Sequence, residues 1–216
     1  MPSAPKPRPR RKRSGSYHHG DLRRAMIEEA LRTIDKSGVK RLTLREVGER
    51  LGVSRTALYR HFADKSSLLA AVAGEGFHTF RQQLAGAWEQ GGGGRAGFEA
   101  MGRAYVQFAI AHPSHYRVMF GGFVEAIAKD PQLAQEASGA FQVLVDAIIA
   151  QQRQGLVRQD DPQQLAQFIW AVVHGVAMLV IDGQLKTKPQ AEELARYAME
   201  RIHNGIAATA PNKTVQ

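Results

Sequence analysis

Apolar residues recur every three or four positions along most of this chain, and glycine, proline and capping residues divide the recurrence into segments. Over residues 21–37, Leu22, Met26, Ile27, Ala30, Leu31 and Ile34 make one stripe, which predicts a helix that Asp21 caps and Gly38 ends. Residues 43–62 read TLREVGERLGVSRTALYRHF and predict two short helices joined by a tight turn. Thr43 and Glu46 have the T-x-x-E spacing of a capping box. Leu44, Val47 and Leu51 share a face, with Gly48 between them where another helix could cross closely. Gly52 suits the left-handed residue that ends the first helix, and Ser54 caps the second. Leu58 and Phe62, four apart, turn to the core. Arg55, Thr56, Tyr59, Arg60 and His61 are then free of packing.

The same pattern continues to the C-terminus. A fourth helix, capped by Asp64, carries Leu69, Val72, Phe77, Phe80, Leu84 and Trp88 on one face. Gly74 and Gly76 interrupt it, marking either a flexible point or close packing. After a glycine loop at 91–94, a fifth helix turns Phe98, Met101, Tyr105 and Phe108 inward, and His112-Pro113 breaks it. A short sixth helix carries Tyr116, Val118, Met119, Phe120 and Phe123. Asp130-Pro131 and Asp161-Pro162 start the seventh and eighth helices, since proline suits the first helical turn. The seventh presents Leu133, Ala137, Phe141, Leu144, Ile148 and Ile149 and ends at Gly155. The eighth is apolar nearly all round over 165–181, so burial on more than one side is expected. The ninth covers about 189–207, with Leu194, Tyr197, Ala198, Ile202 and Ile206. Two such terminal helices suit a dimer closed as a four-helix bundle, or a monomer's core. No segment of any length has the period of a strand, so the expected fold class is all-α.

Charge adds a direction to this picture. The formal net charge is +9, and residues 1–65 hold a net +10 against −1 in the remainder. All the excess positive charge therefore lies with the paired short helices, which favours a polyanionic partner at that end. Residues 1–16 carry six basic residues and no acidic one among prolines and serines. They are expected to be a disordered arm that follows phosphates or enters a minor groove, or a solvated tail. Exposed hydrogen-bond donors and an aromatic on the second short helix are what a helix in the DNA major groove presents.

Other chemistries find little support. There is no cysteine, so no disulfide and no thiolate metal site. His18 and His19 are adjacent, not four apart on a helix, and no metal site is expected. No apolar run reaches the roughly 18 residues expected of a membrane span, and no apolar stretch follows the basic N-terminus as in a secretory signal. A cytoplasmic location without membrane contact is the simplest expectation. There is no G-x-S-x-G, no H-E-x-x-H, no phosphate loop ending GK[ST] and no G-x-G-x-x-G after a strand, so no enzyme and no cofactor is expected.

Residues 43–69, including LYRHFADKSSLL, closely resemble the DNA-binding domain of the TetR family of bacterial transcription regulators. The preceding YHHGDLRRAMIEEAL resembles the first helix of one branch of that family. Trp170…His174-Gly175 and HPSHYRVMF at 112–120 more loosely resemble a branch with a Trp…His-Gly (WHG-type) C-terminal domain. The resemblance implies a three-helix helix-turn-helix domain over 17–64, a helical regulatory and dimerisation domain over 65–210, and a disordered tail at 211–216. It implies a homodimer joined through the last two helices, bound to a near-palindromic operator in double-stranded DNA. Arg55 and Thr56 are the implied base-edge readers. Thr43, Arg45, Ser54, Tyr59, His61 and Lys65 are the implied phosphate contacts, with Arg60 either a phosphate contact or solvated surface. It further implies repression relieved by a small apolar or aromatic inducer. Candidates for its pocket are Trp88, Met101, Tyr105, Phe108, Met119, Phe123, Phe141, Trp170, His174 and Met178, each of which also suits a packed core. A DNA-binding protein without a small-molecule ligand, architectural or controlled by protein contact, is the alternative; a filled second domain would be its mark.

Overall fold

A computed structural model of the chain describes residues 19–122, 130–185 and 187–207, with side chains from Leu22 onward. The basic arm, His18, Phe123 and the residues from 208 onward lie outside that set, as do the side chains of His19 and Asp21. The described residues form nine α-helices and no strand, so the all-α expectation holds. They are α1 (His19–Ser37), α2 (Leu44–Leu51), α3 (Arg55–His61), α4 (Lys65–Gln90), α5 (Gly94–Ala111), α6 (Pro113–Phe120), α7 (Pro131–Arg153), α8 (Pro162–Ile181) and α9 (Lys188–Ile206). One isolated antiparallel bridge, Val157 to Ala207, ties the α7–α8 connection to the end of α9.

The helix ends follow local chemistry. Ser54 accepts from the Ala57 N–H at the start of α3, and Asp64 and Ser67 make a reciprocal capping box at the start of α4. Gly52 ends α2 with φ 65°, a left-handed conformation that a side chain would strain. The expected box at Thr43 forms only in half. Thr43 accepts from the Glu46 N–H at 3.2 Å, but the Glu46 carboxylate pairs with Arg50 at 2.7 Å instead of reaching back. A charged partner one turn away is the stronger draw. At α9 the sequence reading missed a box, since Thr187 and Gln190 cap each other and start the helix at Lys188. α1 likewise begins earlier than expected, at His19.

The expected stripes are buried. Leu22, Met26, Ile27, Ala30 and Ile34 of α1 join Leu44, Val47, Leu58 and Phe62 in one core. That core is continuous with the larger bundle through Leu68, Leu69 and Val72 of α4. α2 crosses α3 at Gly48, where an added Cβ would collide with the Leu58 side chain. Buried Glu29 of α1 pairs with Arg32 at 2.9 Å and with Arg50 of α2 at 3.4 Å, fixing one helix against the other. α4 is unbroken over 26 residues and packs on α1, α5, α6 and α7. Its Gly76 is a close-packing site, with a Cβ there falling 2.6 Å from Met119 Sδ of α6. α5 is covered on its other side by α8 and α9.

Two helices correct the expectation that no apolar run reaches membrane-spanning length. α7 and α8 are both long and apolar enough to cross a membrane, by length and composition. The polar side chains of α8 are Gln163, Gln164, Gln167 and His174, so it carries no formal charge to interrupt it. α7 packs on α4, and α8 on α5, α7 and α9. The expected burial of α8 on more than one side is seen, yet Phe168 remains 54% exposed and Leu179 40% exposed.

Candidate functional site

Two places gather the residues singled out from sequence. The first is the outer face of α2 and α3. Leu58, buried over Gly48 of α2, and Phe62, buried beneath Arg23 of α1, set the roll of α3, and this leaves Arg55, Thr56, Tyr59 and Arg60 exposed. Thr43, Arg45 and Ser54 are exposed beside them, while His61 and Lys65 are half-buried. The cations differ in how free they are. Arg45 pairs with Glu49 at 3.2 Å, and Lys65 Nζ donates to the Lys40 carbonyl at 3.1 Å. Arg55 stacks over the Tyr59 ring at 5.5 Å, and Arg60 has no partner among the described residues. An exposed arginine fork held over an aromatic ring keeps its donors available for a base edge or a phosphate.

The second is a cavity of about 470 Å³ among α4, α5, α6, α7, α8 and α9. Of the ten sequence candidates, Met101, Tyr105, Met119, Phe141, Trp170 and His174 border it. Three others do not. Trp88 packs over Gly93 and Gly97 at the α4–α5 turn. Phe108 faces away, buried between Phe80 and His112 at 5.0 and 4.9 Å. Met178 packs against the core elsewhere on α8. Phe123 lies outside the described residues. Sequence reasoning missed Phe77, Phe80, Phe98, Phe120, Gln167 and Met199 as cavity residues. The phenylalanines carry no mark that separates lining from core. Gln167 had one, since 167, 170 and 174 share a face of α8 and a glutamine there interrupts an apolar stripe.

The polar end of the cavity is a linked set. Trp170 Nε1–H donates to Tyr105 Oη at 3.0 Å. Tyr105 Oη lies 3.1 Å from Tyr116 Oη, and these hydroxyls lie 3.2 and 2.7 Å from His174 Nδ1. Aromatic rings surround the imidazole: Tyr116 stacks on it at 5.7 Å, with Phe120 at 5.0 Å and Trp170 at 5.6 Å. Burial raises both tyrosines well above their ordinary value and lowers His174, so all three are neutral near neutral pH. Among the described residues no Asp, Glu, Lys or Arg borders the cavity. Its walls suit apolar or aromatic matter, with a few fixed polar groups. Among the described residues no group of three or more His, Asp or Glu could hold a metal ion.

Known proteins match two stretches of the chain. Residues 26–72 match the family described as bacterial regulatory proteins, tetR family, and residues 98–202 match the tetracyclin repressor-like C-terminal domain. The chain is similar to the class C tetracycline repressor of Escherichia coli, 47% identical over 51 residues, which is 24% of this chain and 23% of that one. It is similar to the A-factor receptor protein of Streptomyces griseus, 25% identical over 202 residues, covering 86% of this chain and 65% of the relative. The chain thus spans less than two thirds of these curated relatives. A solved structure of a protein with unknown function from Rhodococcus sp. RHA1 superposes with a TM-score of 0.79 at 32% identity, covering 90% of this chain and all of that one. Helix-turn-helix match, C-terminal match and whole-chain superposition agree: the chain belongs to the TetR family of bacterial regulatory proteins.

Proposed function

We propose that this chain is a sequence-specific DNA-binding transcriptional repressor, released from its operator by a small apolar or aromatic molecule held in the cavity. The observation that carries the reading is α4. It is a single helix whose first residue adjoins the exposed α3 face and whose Phe77, Phe80 and Leu84 border the cavity. A ligand that alters the seat of α4 therefore alters the placement of α3. It releases DNA only if it binds the non-operator geometry more tightly, since equal affinity shifts nothing. A cavity of about 470 Å³ that no described side chain fills favours this over a DNA-binding protein without a ligand.

The proposal divides the chain at 64/65, with residues 65–210 regulatory and dimerising, and keeps it in the WHG-type branch. Arg55 and Thr56 read base edges; Thr43, Arg45, Ser54, Tyr59, Arg60, His61 and Lys65 hold phosphates and set register. Two chains join through α8 and α9. Phe168 and Tyr197, 54% and 51% exposed, flank an open groove between those helices, and an isologous contact would cover it. The protein acts in the cytoplasm and catalyses no reaction. The test is a salt titration of purified protein on the DNA upstream of its own coding region, with scrambled DNA as control. Sequence-selective binding by a dimer is the expected result. Equal, weak binding to both DNAs that moderate salt abolishes would leave only a basic patch and overturn the reading.

A further inference from the structure

The hydrogen bonds at the polar end of the cavity have a fixed direction, because one member is a donor only. An indole N–H cannot accept, so Trp170 gives its proton to Tyr105 Oη, 3.0 Å away. Tyr105 then gives its own proton either to Tyr116 Oη at 3.1 Å or to His174 Nδ1 at 3.2 Å. Tyr116 gives its proton to His174 Nδ1 at 2.7 Å or, if Tyr105 has already served the imidazole, to Tyr105. Every arrangement that satisfies all three donors makes Nδ1 an acceptor. Were Nδ1 protonated, three donors and the imidazole would share two oxygens, and one tyrosine proton would be left with no acceptor in an apolar surround. Both tyrosines are buried, so that loss would not be made good by bulk water.

A neutral imidazole that accepts at Nδ1 carries its proton on Nε2. Nε2 has no hydrogen-bond partner among the described residues, and the ring borders the cavity. Among the described residues Gln167 is the one further polar side chain in the lining, and no charged side chain borders it.

We infer that the cavity selects an uncharged, mainly apolar molecule bearing an acceptor oxygen, which takes a hydrogen bond from His174 Nε2–H. This rests on the reading of the cavity as a ligand site. Among the described residues a carboxylate would meet no cation, and an ammonium no anion and no free acceptor on the imidazole, so both would lose hydration that these walls do not replace. A hydrocarbon fits the walls but leaves the Nε2–H unsatisfied.

Calorimetric titration with a matched set of probes tests the inference: a naphthyl methyl ketone, the isosteric isopropenylnaphthalene, and naphthoate. The ketone should bind the wild-type chain about tenfold more tightly than the hydrocarbon, the usual worth of one hydrogen bond, and more tightly than naphthoate by at least as much. His174→Leu should erase the preference for the ketone while both neutral probes still bind. His174→Gln, which keeps a donor, should restore part of it. Equal binding of ketone and hydrocarbon, or tightest binding of naphthoate, overturns the donor assignment and leaves the cavity a ligand site. Failure of all three probes overturns the ligand-site reading and this inference with it. Nitrogen-15 imidazole spectra of the wild-type chain check the geometry without any variant: a proton on Nε2 at neutral pH is expected, and one on Nδ1 overturns the assignment.

Discussion

Single residues decide what the helix-turn-helix can read and how tightly it holds together. Arg55 lies over Tyr59 with its donors exposed, whereas Lys65 is tied to a backbone carbonyl. Arg55→Ala should cost about 1–3 kcal/mol at one base pair and relax the preference there, as judged by competition between cognate and singly altered sites. Arg60→Ala should weaken all sequences alike. If Arg55→Ala weakens cognate and scrambled DNA equally, Arg55 is no base reader. Gly48→Ala places a methyl against Leu58, the buried residue of α3, and should destabilise the chain by about 1–3 kcal/mol in urea titration. An unchanged midpoint would show that α2 and α3 do not cross there. Much of this was legible beforehand, because caps, a left-handed glycine and the burial of Leu58 and Phe62 follow from short spacings. The Glu46 side chain was not, since Arg50 lies within one helical turn of it, as Thr43 does, and the choice between them depends on rotamers.

At the scale of elements, α4 and its contact with α6 matter most. Gly74 and Gly76 look alike in sequence, yet a Cβ at Gly74 meets nothing within 4 Å while one at Gly76 meets Met119 and His115. Gly74→Ala should therefore leave thermal stability unchanged or raise it by up to about 1 kcal/mol. Gly76→Ala should lower stability and also ligand affinity, because displaced Met119 borders the cavity. Equal effects of the two changes would contradict the packing role. The same contact carries a pH dependence. Burial, and then the nearby His112, hold His115 at about 4 rather than 6.5. Between those values the unfolded chain binds more protons than the folded one, so stability rises with pH through the window. It is fully present above about 6.5 and is lost as pH falls toward 4. Burial lowers His174 and His203 in the same direction. His115→Gln should thus flatten, without abolishing, the fall of the urea midpoint on acidification; an unaltered slope would place the effect elsewhere. The order of the helices among the described residues was readable from periodicity and Asp-Pro starts. Which of the apolar faces enclosed a cavity was not, because lining and core residues share one chemistry and differ only in what stands opposite.

Across the whole molecule, a basic end and an apolar cavity are joined by one helix, and an open groove runs between α8 and α9. Phe168→Asp with Tyr197→Asp should shift sedimentation from dimer to monomer and weaken operator binding far more than nonspecific binding, since two half-sites are then no longer read together. Persistence of the dimer would move the interface away from this groove. The central claim is that the chain reads a particular DNA sequence with two copies of α3. Its most direct test is selection of bound fragments from sheared genomic DNA by the purified full chain. The account predicts an enriched near-palindrome whose half-site centres lie about one helical turn apart, lost with Arg55→Ala. Recovery of fragments with no shared motif, at a yield set only by salt, would contradict it.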